Sequence, residues 1–145
     1  MTILIVEADY YEKITNKLVE DAITIFKKYG VEYQILRVPG ALEIPAAIAM
    51  AEESGMFDGY LAVGCVIRGE TYHFEIVANE SAKALNDLAV LFTIPIANAI
   101  LTVENKKQAE TRAFEKQKGQ SYASALIRMI EIREQFIAPS LDEEE

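Results

Sequence analysis

Residues 59–80, GYLAVGCVIRGETYHFEIVANE, decide how the rest of the chain is arranged. The apolar run Tyr60-Leu61-Ala62-Val63 reads as a buried strand that ends at Gly64 and Cys65. A short polar segment then carries Arg68, Gly69, Glu70, Thr71 and His73 to the start of a helical apolar pattern. A strand end, a loop with free backbone N–H groups and a helix N-terminus together favour an anion. His73 is the only histidine in 145 residues, and its residue type changes charge near neutrality.

The same strand–loop–helix unit recurs on either side. Thr2–Val6 is a continuous apolar run of the kind buried in a parallel sheet. Asp9 is placed to cap the helix that follows, with Ile14, Leu18, Ala22, Ile25, Phe26 and Tyr29 on one face and Gly30 at its end. A second strand, Val31–Val38, stops at Pro39-Gly40, and a helix presenting Ile44, Ala47, Ile48 and Ala51 runs to near Gly55. After the third strand, Gly59–Val63, the spacing predicts a helix over Phe74–Leu91 that buries Val77, Ala84, Leu85, Leu88 and Phe92. A fourth strand is expected over Ile94–Leu101, with Pro95 near its start, where a strand tolerates it. Helices over Asn105–Lys116 and Ser121–Ile137 complete the chain, the last with Tyr122, Leu126, Met129, Ile130 and Phe136 inward.

Alternation of this kind implies a three-layer α/β/α sandwich around a flavodoxin-like parallel sheet of four strands. Residues 1–138 read as one domain and 139–145, PSLDEEE, as a solvated acidic tail.

Composition narrows the function. Apolar residues make up 51% of the chain, and 14 basic against 23 acidic residues leave a net charge of −9. Nucleic acid and anionic membrane both reward a basic face, so neither is expected as the main partner. One cysteine cannot close an intramolecular disulfide, which suits a reducing cytoplasm. Met1-Thr2 leads into Ile3–Val6 without a basic segment, so no signal peptide is expected. No apolar run approaches the roughly 18–20 residues of a membrane span.

Ligands of open parallel sheets bind outside the carboxyl ends of the strands. Tyr10 and Tyr11 follow the first strand, and Pro39 to Glu43 the second. Arg68 to His73 follow the third; Thr102 to Glu104, then Arg112, follow the fourth. Each has a plain alternative. The tyrosines could be core or surface aromatics, Pro39-Gly40 ordinary turn residues, Glu43 a charge favoured at a helix start, and His73 an exposed histidine. Cys65 reads as a small buried hydrophobe. One histidine and one cysteine fall short of a metal ligand set, and no dinucleotide or nucleotide-triphosphate fingerprint is present. Residues alone therefore reach a phosphate-bearing small molecule beside a histidine, without a reaction.

Four segments go further. VPGALEIP (38–45), GCVIRGETYHFEIVANESAK (64–83), ILTVEN (100–105) and QAETRA (108–113) resemble the 6,7-dimethyl-8-ribityllumazine synthase family in order and spacing, over nearly the whole chain. The resemblance implies a transferase of riboflavin biosynthesis. Such an enzyme condenses 5-amino-6-(D-ribitylamino)uracil with 3,4-dihydroxy-2-butanone 4-phosphate, releasing phosphate and water, with no metal or other cofactor. It implies that Tyr10 stacks on the pyrimidine, that Ala41, Leu42 and Glu43 hold the ribityl chain, and that Val66 and Ile67 offer backbone contacts. Gly69, Glu70 and Thr71 match the phosphate loop and His73 the acid/base histidine. Arg112, Lys118 and Asn98 match residues supplied by a neighbouring subunit, with Lys116 the alternative to Lys118. A cytoplasmic homopentamer with sites between subunits is implied; whether pentamers close into an icosahedral shell stays open. The chain departs from the family at Tyr10, usually phenylalanine, at Asn98, usually aromatic, and at Ser121, usually a carboxylate. The loop between Arg112 and Gly119 is also shorter. The rival readings are a non-catalytic flavin- or lumazine-binding module of the same fold and a receiver-like domain, for which Glu7 and Asp9 supply only part of an acidic cluster.

Overall fold

In the computed structural model, which describes residues 1–137, every strand of the sheet is parallel and the spatial order is β2-β1-β3-β4. The strands are β1 (Thr2–Ala8), β2 (Glu32–Val38), β3 (Gly59–Ile67) and β4 (Ile96–Val103). The helices are α1 (Glu12–Lys28), α2 (Ile44–Glu52), α3 (His73–Phe92), α4 (Lys106–Glu110) and α5 (Lys118–Phe136). The acidic tail expected at 139–145 lies outside the described residues.

Period-two alternation along β1 distributes its side chains between two cores. Ile3 and Ile5 join Leu18, Ala22 and Phe26 of α1 and Leu126 and Ile130 of α5 on one face. Leu4, Val6 and Ala8 join Ile44 and Ile48 of α2 and Phe74 and Leu85 of α3 on the other. Both faces are covered, so β1 and β3 are apolar almost throughout, as central parallel strands are. β2 has a neighbour on one side only and is largely exposed.

Several element ends differ from expectation, each for a local reason. β3 does not stop at Val63: Gly64, Cys65, Val66 and Ile67 pair with Ile100 to Val103. Gly64 is a mid-strand residue facing Ile100 and Ala8, where an added Cβ would make ordinary contacts at 3.5 and 3.7 Å. β4 begins at Ile96, not Ile94, because Ile94 still donates its N–H to Ala89 O at the end of α3 and Thr93 turns the chain with φ 50°. Asp9 does not cap α1. Tyr11 occupies the cap position with no side-chain bond, and the Asp9 N–H donates to Val38 O at 3.4 Å, extending the strand geometry.

The expected helix over Asn105–Lys116 is instead α4, capped by the Asn105 side chain, followed by a π-helical turn at Thr111–Glu115. α5 then starts at Lys118, ahead of the expected Ser121. Tyr29, Phe92, Met129 and Phe136 share the apolar spacing of their helices but are exposed, since they lie at helix ends or on the outer flank. No helix among the described residues is long and apolar enough to cross a membrane.

Candidate active-site cleft

The β1–α1, β2–α2 and β3–α3 connections meet at one end of the sheet and enclose a cleft of about 490 Å³. Tyr10 and Tyr11 form one wall, their rings edge to face with centroids 5.0 Å apart. Tyr10 is largely exposed at the rim, while Tyr11 packs against the core beneath. Burial first, then the neighbouring Tyr10 and Cys65, raises the Tyr11 hydroxyl above the usual phenol range.

The opposite wall is the turn Pro39 to Glu43. A Cβ on Gly40 would meet Glu43 Oε2 at 2.9 Å. The missing side chain therefore makes room for the carboxylate to fold over the turn. Glu43 N–H donates to Gly40 O at 3.1 Å, closing the single 3₁₀ turn that leads into α2. Pro45 sits in the first turn of α2, where its absent N–H costs nothing.

The floor is the end of β3, Cys65 to Ile67, continued by Gly69 and Thr71, with His73, Phe74 and Val77 from the first turns of α3. His73 opens α3 and is exposed, and its backbone N–H reaches Thr71 Oγ1 at 3.4 Å. Burial pushes the Cys65 thiol up to about 11. It is protonated near neutrality and serves as a small apolar wall atom rather than a nucleophile.

The residues singled out from sequence divide sharply. Tyr10, Ala41, Leu42, Glu43, Val66, Ile67, Gly69, Thr71 and His73 all line the cleft. Glu70 is exposed on the loop but outside the lining. Asn98 lies within β4, opposite Ala62, and its Oδ1 accepts the Ile100 N–H at 2.9 Å. Arg112 sits on the π-helical turn and donates from Nη1 to Gln108 O at 3.1 Å. Lys118 begins α5. This chain brings none of these three to its own cleft. Glu7 is not at the rim either: it is wholly buried, accepts a bond from Thr15 Oγ1 at 2.8 Å and pairs with Arg37 of the adjacent strand at 3.4 Å. It knits β1, β2 and α1 together, so the partial acidic cluster of a receiver does not form.

Tyr11, Phe74 and Val77 line the cleft without having been given a ligand role. Phe74 and Val77 stand three apart at the start of a helix, which puts them on one face; the same pattern also describes ordinary core residues. Among the described residues, the lining contains no lysine or arginine. Its one carboxylate is that of Glu43, and its one imidazole that of His73. A phosphate placed here by one chain alone meets backbone N–H groups and a helix start, but no permanent positive charge.

The profile of the family described as 6,7-dimethyl-8-ribityllumazine synthase matches residues 1–134. Relatives bearing that name include proteins of Bartonella bacilliformis, 54% identical over 92% of this chain and 91% of theirs, and of Agrobacterium fabrum, 49% identical over 92% and 95%. A third, from Novosphingobium aromaticivorans, is 50% identical over 92% of this chain and 96% of its own.

Proposed function

The chain belongs to the 6,7-dimethyl-8-ribityllumazine synthase family, and from that premise we propose how its cleft carries out the condensation and why one chain is insufficient. The substrates are 5-amino-6-(D-ribitylamino)uracil and 3,4-dihydroxy-2-butanone 4-phosphate. Tyr10 offers a ring face at the rim for the pyrimidine, and Val66 and Ile67 offer backbone edges along its floor. Ala41, Leu42 and Glu43 take the ribityl hydroxyls. Gly69, Glu70 and Thr71, just ahead of the long helix α3, take the phosphate, where the helix macrodipole favours negative charge.

The uracil amine attacks the ketone and water leaves to give an imine. Loss of the phosphate ester breaks a C–O bond, and the ribityl-bearing nitrogen closes the second ring with loss of water. Each stage moves protons on or off carbon, nitrogen and oxygen. His73, exposed at the cleft and adjacent to the phosphate loop, is the side chain suited to carry them. Holding both substrates in one cleft contributes most of the acceleration, through pre-organised encounter.

The observation that carries this reading is the motif-built cleft without a cation. Arg112 of a neighbouring subunit supplies the missing charge, with Lys118 and Asn98 beside it, in a cytoplasmic homopentamer whose sites lie between subunits. Mixing the purified protein with both substrates should produce lumazine absorbance and release phosphate in step. Absence of product at saturating concentrations of both would leave only a binding module. In the same assay His73→Ala should lower kcat by about a hundredfold without abolishing turnover, because water reaches this exposed position and can replace part of the proton transfer. Complete loss of product in a folded His73→Ala protein would contradict that division of labour.

A further inference from the structure

Arg68 is the one residue of the 66–71 stretch, apart from Glu70, that does not line the cleft, although Ile67 and Gly69 on either side of it do. Its backbone N–H donates to Val103 O at 2.9 Å, closing the ladder between β3 and β4. Its side chain turns away and meets three groups. Nε donates to Glu104 Oε2 at 2.7 Å, Nη1 donates to Glu75 in the first turn of α3, and the guanidinium lies 4.5 Å over the Phe74 ring. Phe74 lines the cleft, so Arg68 backs a wall residue from outside.

We propose that Arg68 is a positioning residue that sets the shape of the anion loop from behind and does not itself hold phosphate; this rests on the reading of Gly69 to Thr71 as the phosphate loop. The loop, Gly69 to Tyr72, joins the end of β3 to the start of α3, and Arg68 ties both of its ends to the end of β4. Little else fixes it. A Cβ on Gly69 would meet nothing within 4 Å, so the loop is not held by packing there. The bond from His73 N–H to Thr71 Oγ1 is long, at 3.4 Å.

Arginine suits this task because its planar fork reaches two carboxylates while its face covers a ring, which a lysine point charge cannot do. The charge count points the same way. One guanidinium between Glu75 and Glu104 leaves a cluster of net negative sign, which repels a phosphate. Hydrogen bonding first to Glu104 and then to Glu75 raises the guanidinium further above its usual range, and Arg68 in turn holds Glu75 below the usual carboxylate range. Exposed ion pairs contribute little to global stability. The effect should therefore show in substrate use and not in the unfolding midpoint.

Steady-state kinetics separate positioning from direct binding by sign. Arg68→Met and Glu75→Ala/Glu104→Ala should each raise KM for the butanone phosphate by about tenfold, the scale expected when a contact group is slightly misplaced. The pyrimidine KM should stay near the wild-type value, and the triple variant should be no worse than either, as expected for one coupled unit. Arg68→Lys should not restore the low KM. A lower KM in Glu75→Ala/Glu104→Ala would mean that a freed arginine grips phosphate and would overturn the proposal, as would an unchanged KM or rescue by lysine. If Arg68→Met fails to fold, the glutamate pair still decides, since it keeps the arginine. Thr71→Val tests the underlying reading. If it leaves both the butanone phosphate KM and inhibition by inorganic phosphate at wild-type values, the loop assignment falls and the proposal with it. A sensitive Thr71 with insensitive glutamates overturns the proposal alone.

Discussion

Arg112→Ala is expected to lower kcat/KM for the butanone phosphate by about a thousandfold, with the loss concentrated in that substrate and not in the pyrimidine. A phosphate ester carries close to two negative charges, and the cleft of one chain offers it no lysine or arginine among the described residues. A guanidinium fork can donate two parallel bonds to phosphate oxygens, and such charge-assisted pairs are among the stronger single contacts in proteins. Removing one partner of a desolvated charge pair costs about 2–5 kcal/mol, which spans the expected range. Arg112→Lys should recover only part of the loss, since it keeps the charge and loses the fork.

The location of Arg112 makes the prediction sharper. In its own chain it is tied to Gln108 O, away from the cleft. The reading therefore requires that it act across an interface. Co-assembly of Arg112→Ala chains with His73→Ala chains should raise activity well above the residual level of either variant alone. An interface that takes His73 from the first and Arg112 from the second is intact, and about a quarter of interfaces in a randomly mixed ring are of this kind. If mixing restores nothing although hetero-oligomers form, Arg112 serves its own chain or none. A wild-type KM for the butanone phosphate in Arg112→Ala would end the phosphate assignment altogether.

The layer order was legible because the central strands β1 and β3 are apolar on both faces and each helix is apolar on one, so short apolar runs and helical spacing alternate visibly along the chain. Element ends were less so. Gly64 has the composition of a turn, yet it pairs with Ile100 inside a strand, where a side chain would make only ordinary contacts. Asp9 has the chemistry of a cap, but the end of β2 holds its backbone N–H and the helix starts later, at Glu12. At the cleft, local motifs carried over well because the β3–α3 and β2–α2 connections each supply contiguous residues. Tyr11, Phe74 and Val77 were not distinguishable from core residues, since a ligand pocket and a core ask for the same apolar side chains. The Arg68–Glu104 bond joins residues 36 positions apart, and only the β3–β4 pairing makes them neighbours.

Gly119→Ala should destabilise the protein by about 1–2 kcal/mol, although helix propensity alone predicts the opposite sign. Within an exposed helix, alanine in place of glycine would gain about 1 kcal/mol. Gly119 is instead buried in the first turn of α5, and an added Cβ would lie 2.3 Å from the Leu18 carbonyl oxygen and 3.0 Å from Asp21 Cβ. The first of these is backbone of α1, so no rotamer change relieves it. α5 must move away from α1, and the two helices together cover one face of the sheet through Leu18, Ala22, Phe26, Leu126 and Ile130. Overpacking of this kind typically costs about 1–3 kcal/mol, enough to outweigh the propensity gain at the upper end. The strain should also reach function. Gly119 follows the turn that carries Arg112, where Gln117 is already held at φ 48°, so displacing the start of α5 moves that turn. Denaturant midpoints at fixed protein concentration should fall, and the butanone phosphate KM should rise in the same variant. An unchanged midpoint would show that α5 slides along α1 without loss. A lowered midpoint with a wild-type KM would show that the Arg112 turn is held independently of the helix it leads into.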